Sequence, residues 1–514
     1  MRIHELYQSG LERNPGKEFV TFPNHSSYTY EAFAERIAQT AHALESIGVS
    51  KGDRVSVFLP NCPTFLALFF ATSKLGAVLA PANPEYTDRE LSHSIDLSNP
   101  SILITEDELI ETASVAAEES SVEEVLTIEK NDSNRSLSTL IEDQPRSYDA
   151  PTYPDSNIAL HMYTSGTTGP PKAVEITHFN YTHAAADFAK RMGLAPSDRL
   201  GTCLPLFHAN SQVYSTLGAC AVGASLVLFD QFSTSSWWEW MREHNVTEFN
   251  AMGSMLKMLD NVDPSTVNPD NPVEKVFSAG TPPELIEPFE ERFGIRVVEG
   301  YSLTEDVLLI LNPTEPSRRR VGSIGLPPAE KRVQIVDDDG NQVPRGEKGE
   351  IIMDCPSTMA GYHDQPEKTD ETIRDGWLYT GDYGRMDEDG FLYFVDRKKD
   401  VVRRSGENIS SYEVEGVIKA MAEVEEVAII PSPDEFRGEE VKALVKLEPG
   451  ASLDPEDIIE AAEAELASFK VPRYVEFVDT FPYTPTEKIQ KSKLREREQR
   501  GEVDHWDRTE ELDG

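Results

Sequence analysis

The richest run of chemically capable residues in this 514-residue chain is Tyr163-Thr-Ser-Gly-Thr-Thr-Gly-Pro-Pro-Lys172, which follows the apolar stretch Ile158–Met162. A strand feeding a loop of Thr164, Ser165, Gly166, Thr167, Thr168 and Gly169 presents backbone N–H groups and hydroxyls with little steric cover. Such a loop can wrap polyphosphate, and Lys172 supplies a positive charge beside it. The spacing is GxxGxxK, so this is not the GxxxxGK[ST] nucleotide loop. Taken alone, the segment also reads as an ordinary surface loop.

Further groups follow in a fixed order. Ser278, Ala279, Gly280, Thr281 and Pro282 form one small-residue segment, and Glu299, Gly300, Tyr301, Ser302, Leu303, Thr304 and Glu305 form a second. Tyr379-Thr-Gly-Asp382, Asp396-Arg-Lys-Lys-Asp400 and Arg404-Ser-Gly-Glu-Asn-Ile409 come next, then Phe469-Lys-Val-Pro472 and Pro485-Thr-Glu-Lys-Ile-Gln-Lys491. In this order they closely resemble the motifs of the adenylate-forming superfamily: acyl-CoA synthetases, peptide-synthetase adenylation domains and firefly luciferases. The resemblance covers essentially the whole chain. Phe391–Val395 followed by DRKKD and SGENIS is most similar to fatty-acyl and crotonobetaine/carnitine-type CoA ligases.

The resemblance implies an AMP-forming acid–thiol ligase that activates a fatty or carnitine-like acid, with ATP, Mg²⁺ and CoA in one pocket. Transfer of AMP to a carboxylate builds negative charge around the α-phosphate, so donors and cations are needed there. By resemblance Thr304 contacts the α-phosphate, and Glu305 holds Mg²⁺ directly or through water. Residues 278–282 form the adenine wall, with Tyr301 flanking the base. Asp382 accepts the ribose hydroxyls, with Arg397 nearby. His208 lies beside the substrate carboxylate, either orienting it or gating the thiol path. Lys488 bridges carboxylate and α-phosphate oxygens, a task for a point charge. Ser405, Gly406 and Glu407 belong to the loop that completes the thioester site. His208–Ser215 and Asn250–Met258 help to line the acyl pocket, and their mix of Asn210, Gln212, Asn250 and Ser254 with Met252 and Met255 implies a partly polar one.

Four positions depart from the family pattern. Glu487 stands where a glycine precedes the lysine, Lys491 stands for the later arginine of that loop, Ser302 replaces the glycine of YGxTE, and Ser405 replaces the first glycine of GGEN. Glu487 places a carboxylate beside Lys488 and puts adenylation in more question than nucleotide binding. Two other readings therefore stay open: an adenylating enzyme that does not use CoA, and a nucleotide-binding module with weak turnover. No segment with a phosphopantetheine serine follows the last motif, which favours a free thiol as acceptor.

The rest of the composition narrows the setting. With 48 Lys+Arg against 90 Asp+Glu, the net charge is −42. Such a surface repels phosphate backbones and anionic lipids, excluding nucleic-acid and membrane-surface partners. The carboxylates are dispersed rather than gathered in a tail, a pattern expected of a halophilic cytoplasm, where molar salt screens repulsion. Cys62, Cys203, Cys220 and Cys355 are far apart and give neither a zinc signature nor a disulfide framework. No apolar stretch spans a bilayer and the start lacks a signal peptide, so a cytoplasmic protein is expected. A homodimer stays open.

The elements that must position these residues alternate. Helical spacing over Glu31–Ile47, a β-rich run Arg54–Leu59 and an apolar helix Cys62–Leu75 stopped by Gly76 imply an α/β fold of mainly parallel sheets. After about residue 320, Val333–Val336, Glu350–Met353 and Phe391–Val395 read as strands joined by acidic hairpin turns, an antiparallel, small β-barrel-like part of the large domain. The expected organisation is a large domain 1–395, a hinge 396–400 and a small mobile α+β domain 401–514, with a frayed end from about Glu496.

Overall fold

Each predicted helix is built from local signals that the structure uses. This computed structural model describes all residues except 119, 130–134, 165–171, 263–270, 399, 405–406, 435–436, 484–487, 502–504 and 509–514, and only the backbone of 403, 407 and 408. The helix Tyr30–Ser46 is capped by Thr29, whose hydroxyl accepts from Ala32 N, and it buries Phe33, Ile37, Ala41 and Leu44 on one face. The helix Pro63–Leu75 starts on a proline and is buried on almost every side, so it has no polar face. Gly76 ends it at φ +75°, a left-handed conformation that costs glycine little.

The chain gathers into two compact units. The first comprises Met1–Thr164, Pro171–Val333 and Met353–Leu378; the second holds Gln334–Ile352 and Tyr379–Gly514. Two sheets organise the first unit. One runs in the order Gly361–Tyr362, Lys172–Thr177, Ile158–Thr164, Val78–Ala82, Arg54–Phe58, Ile102–Thr105, Glu124–Thr127. It is parallel except at the first two pairings, which are antiparallel. The other orders Asp306–Leu311, Arg296–Leu303, Lys275–Ala279, Glu248–Met252, Arg199–Thr202, Ser225–Leu228, Glu18–Phe22 and Ser26–Thr29, with antiparallel pairs only at its two edges. Continuous apolar runs such as Val78–Ala82 suit strands covered on both faces.

Burial in the second sheet has an electrostatic consequence. Glu248 opens a central strand, opposite Lys275, and is fully buried. Burial pushes its carboxyl from 4.5 up to about 8, with Lys275 opposing and Asp198 reinforcing the shift. The native state then keeps a proton that the unfolded chain releases. Stability is therefore expected to fall as pH rises from about 4.5 to about 8, by up to about 1.4 kcal/mol per pH unit. Glu248→Gln should remove that slope and raise stability above neutrality, measured by urea unfolding across the range. An unchanged slope in the variant would contradict the assignment.

Arg332–Val336, Gly349–Asp354 and Trp377–Met386 are neighbours in a third sheet, and Leu392–Arg397 pairs with the last of them. This sheet is open. The barrel-like part expected from the sequence is thus no closed barrel, because its strand order has free ends. The remainder is an α+β body: Val424–Asp434, Gly438–Leu447 and Tyr474–Phe477 form its central strands, with helices Ser411–Lys419 and Pro455–Glu465. Its core is aliphatic, with Val414, Ile418, Ile429, Val441, Ala443 and Ile458 inside.

The expected fraying from about Glu496 is not seen in the described residues there, while 502–504 and 509–514 lie outside them. A helix runs Lys491–Gln499, and Trp506–Asp507 pairs with Tyr474–Phe477. Buried Lys442 explains it: its ammonium lies 2.7 Å from Glu498 and 2.9 Å from Glu476, so the terminal helix supplies a needed counter-charge. A hydrophilic sequence around Glu496 concealed an ionic anchor.

All four cysteines are buried, and none forms a disulfide. No helix among the described residues is long and apolar enough to cross a membrane.

Candidate active site

The hairpin Ile158–Thr164/Lys172–Thr177 sets Thr164 directly opposite Lys172 at the mouth of the predicted phosphate loop. Residues 165–169 themselves lie outside the described residues. Lys172 is half-buried, with its ammonium 4.2 Å from the ring centre of Tyr362. The Tyr362 hydroxyl donates to Glu305 Oε1 at 2.9 Å. One aromatic side chain thus links the two charges that the sequence singled out separately. Loss of hydration lowers the Lys172 pKa, opposed by the Glu305 carboxylate. Tyr362 was not foreseen; nothing in its local sequence marks it, and only the pairing of Tyr362 with Val174 puts it there.

Thr304 and Glu305 form the turn between Arg296–Leu303 and Asp306–Leu311. Both are half-buried. The turn is held from behind: Asp306 is fully buried, and Lys331 Nζ lies 3.1 Å from its Oδ2 with no exposure on either side chain. Glu305 O also accepts from Met359 N at 2.8 Å. Carboxylate oxygen is the hard donor that Mg²⁺ prefers, so Glu305 fits the role expected of it.

The parallel strands bring the two small-residue segments side by side, with Ser278 opposite Glu299. Ser278 Oγ and Thr281 Oγ1 are 2.7 Å apart, and Thr281 N donates to Glu299 Oε1 at 3.0 Å. Burial pushes the Glu299 carboxyl up to about 7. Its second oxygen is buried and meets no donor among the described residues. Ala279 and Pro282 are half-buried, Gly280 is exposed, Gly300 is buried, and Tyr301 is half-buried opposite Ile310. Ser302, where the family pattern has glycine, is accommodated: its Oγ is 3.0 Å from the Tyr214 hydroxyl.

His208 is half-buried, its ring 4.5 Å from that of Phe207. The chain then enters a π-helix, Asn210–Leu217, a form that recurs at functional positions. Its wide turn brings Asn210 and Ser215 together: Asn250 Nδ2 is 2.8 Å from Asn210 Oδ1 and 2.9 Å from Ser215 Oγ. Gln212 Oε1, Thr216 Oγ1 and Asn250 Oδ1 are buried and unpartnered among the described residues. Of the other expected lining residues, Met255 is buried, Met252 half-buried and Ser254 exposed.

The second unit has its own cluster. Gly381 sits at φ +70°, which turns the strand before Asp382 in a way a β-carbon would strain. Thr380 Oγ1 donates to Ile351 O at 2.7 Å and accepts from Asp382 N at 3.1 Å. Asp382 is buried and pairs across the hairpin with Arg397, whose Nε is 3.2 Å from Oδ1. Lys488 completes the cluster. Although it is exposed as a residue, loss of hydration around its ammonium and then the Arg397 charge lower its pKa, while Asp382 raises it. Asp382 and Lys488 therefore influence one another, despite their separation in sequence.

The basic run after Asp396 is likewise tied down. Lys398 Nζ is 2.9 Å from Glu350 and 3.0 Å from Asp338, and Asp396 Oδ2 accepts from Ser411 N at 2.5 Å at the start of the next helix. Glu350 and Asp396 were missed as anchors. Glu407 opens the short strand Glu407–Ile409, paired with Val402–Arg404. Ser405, Gly406, Lys399 and Glu487 lie outside the described residues.

Residues 7–363 match the family described as AMP-binding enzyme, and 413–488 match the AMP-binding enzyme C-terminal domain. The chain is 32% identical over 483 residues to a crotonobetaine/carnitine–CoA ligase of Salmonella arizonae, covering 91% of this chain and 93% of the relative. Among solved structures, the anthranilate CoA ligase AuaEII in complex with anthranoyl-AMP superposes with a TM-score of 0.89 at 26% identity, covering 98% of each chain. ATP-bound MatB from Rhodopseudomonas palustris gives 0.88 at 27% identity, covering 96% of this chain and 99% of its own.

Proposed function

The chain belongs to the AMP-binding enzyme family of acid–CoA ligases, and we propose that it couples a polar carboxylic acid to CoA through an acyl-adenylate. The observation that carries the mechanism is the electrostatic cluster of Asp382, Arg397 and Lys488 in the second unit. Asp382 accepts from the ribose hydroxyls, and Arg397, its Nε 3.2 Å from Asp382 Oδ1, stands beside that carboxylate. Lys488 neutralises charge shared by the attacking carboxylate and the α-phosphate. In the first unit Lys172 and Thr304 face phosphate oxygens, and Tyr362 fixes Glu305. Glu305 would hold Mg²⁺, which when bound neutralises phosphate charge.

The substrate carboxylate oxygen attacks the α-phosphorus, the bond to the bridging oxygen breaks, and pyrophosphate leaves. The thiol sulfur of CoA then attacks the acyl carbon, and AMP departs. His208 orients the carboxylate. A large domain 1–395 and a small domain 401–514, turning about a hinge at 396–400, belong to the same reading. That turn withdraws Lys488 and presents the 405–408 loop.

A polar acid is the reading that Gln212, Thr216 and Asn250 support, since each has a buried oxygen without a partner among the described residues. Buried acceptors without donors cost free energy, which a substrate bearing its own hydroxyl or N–H would recover. A plain fatty chain would leave them unpaired. Pyrophosphate release is expected to be fastest, and CoA-dependent, with hydroxylated or amide-bearing acids, and about tenfold or more slower with apolar isosteres. A preference for long unbranched fatty acids would contradict the polar reading. The dispersed carboxylates support a protein adapted to concentrated salt. The same assay in dilute and molar KCl checks this, since full activity in dilute buffer would exclude it.

A further inference from the structure

A second group of side chains, unused by the proposed reaction, is assembled by strand register. His161 on Ile158–Thr164 lies directly opposite Glu175 on Lys172–Thr177. Glu175 in turn lies opposite Gly361, and His363 follows two residues later with its N–H bonded to Ala173 O at 2.9 Å. The side-chain alternation of strands puts all three on one face. Their ligand atoms lie within 4.8 Å of one another. His161 Nε2 is 3.9 Å from Glu175 Oε1, His363 Nδ1 is 2.7 Å from the same oxygen, and the imidazole centres are 4.3 Å apart. Ligand atoms around a tetrahedral ion with bonds of about 2.0–2.1 Å stand about 3.3 Å apart, so this spread closes on an ion with small rotations.

The surroundings of the two rings add a separate argument. His161 Nδ1 lies 3.1 Å from Ser98 Oγ, and that hydroxyl is 2.7 Å from the Tyr163 hydroxyl. Donation of its Nδ1–H to Ser98 leaves Nε2 as the lone-pair nitrogen facing Glu175. On His363 the roles are reversed: Nδ1 faces Glu175, and Nε2 is 3.6 Å from Asp364 Oδ2. Each imidazole thus has one nitrogen toward the shared centre and the other toward an oxygen, the arrangement by which metal-ligating histidines are oriented. The His161 side chain is 2% exposed, whereas His363 and Glu175 are 19% and 25% exposed, so the centre is reachable from one side.

We propose that His161, Glu175 and His363 form a binding site for a divalent ion of the zinc class, distinct from the Mg²⁺ that accompanies ATP. Two imidazoles and one carboxylate suit Zn²⁺ and its neighbours, whereas Mg²⁺ selects oxygen ligands. Water on the exposed side completes the shell. The ion clamps the hairpin strand that begins at Lys172 to the segment carrying Tyr362, the residue that contacts both Lys172 and Glu305. Its effect is therefore to stiffen the support of the phosphate-binding groups rather than to take part in bond making.

The test uses the full chain, stripped of metal and free of nucleotide, titrated with Zn²⁺ in excess Mg²⁺ so that the acidic surface is saturated. One equivalent per chain is expected, together with a rise in the thermal unfolding midpoint. Co²⁺ in place of Zn²⁺ should give visible absorption bands of a low-symmetry site. Glu175→Gln, which keeps side-chain volume, and His363→Asn, at a partly exposed position, should each weaken binding by about 10–100-fold or more. Ser98→Ala leaves every ligand in place and should weaken it less. Failure to take up Zn²⁺, or the same stoichiometry and affinity in both ligand variants, would overturn the site.

Discussion

Lys488→Ala is expected to lower acid-dependent pyrophosphate release by about 10²–10³-fold or more while leaving thioester formation from supplied acyl-AMP near the parent rate. The reason lies in what Lys488 feels. Its ammonium is stripped of part of its hydration and stands close enough to Asp382 and Arg397 for both to shift its pKa. A cation kept poorly solvated gives its full attraction to charge that develops beside it in the transition state. Thioester formation expels AMP by attack of a thiol at the acyl carbon and has no comparable need at the α-phosphate. Equal loss of both half-reactions would remove Lys488 from this role. Nucleotide binding is expected to survive the change, because Asp382 and Arg397 keep their own pairing.

Lys331→Met should destabilise the protein by about 3–5 kcal/mol, although Lys331 touches no expected substrate. Lys331 and Asp306 form an ion pair 3.1 Å long with both side chains wholly buried. The lysine also donates to Leu308 O, and Cys355 Sγ sits 3.3 Å from each Asp306 oxygen. Methionine preserves the stem but strips the buried Asp306 carboxylate of its counter-charge. Because Asp306 follows Glu305 directly, the turn that carries Thr304 and Glu305 should loosen too, so activity falls further than the unfolded fraction accounts for. Adding Asp306→Asn should recover most of the stability. Urea unfolding reads both effects, and a change within about 1 kcal/mol for Lys331→Met would show that the pair is not the support described here.

Those two residues illustrate what the sequence reveals and what it hides. Lys488, Asp382, Thr304 and Glu305 could be nominated as candidates because short motifs hold them at fixed spacings, and Pro63–Leu75 was legible because an apolar run ended by Gly76 has one reading as a helix. The pairing of Lys331 with Asp306 has no such signal; it arises from tertiary packing. Tyr362, His161, Glu175 and His363 became neighbours only through antiparallel register, where a slip of one residue would turn each side chain to the opposite face. The π-helix at Asn210–Leu217 has the same character, since its hydrogen-bond pattern leaves no mark in hydrophobic spacing. The ordered end fell to the same limit: a polar helix is held by Lys442, buried far from it in sequence. Local chemistry was readable, and cross-chain electrostatics were not.

Separation of the nucleotides after incubation of the full chain with ATP, Mg²⁺, CoA and a preferred polar acid decides whether this is an AMP-forming ligase. One AMP and one pyrophosphate should appear for each acyl-CoA, with acyl-AMP accumulating when CoA is withheld. Formation of ADP and orthophosphate, or ATP binding without turnover on any acid, would contradict it.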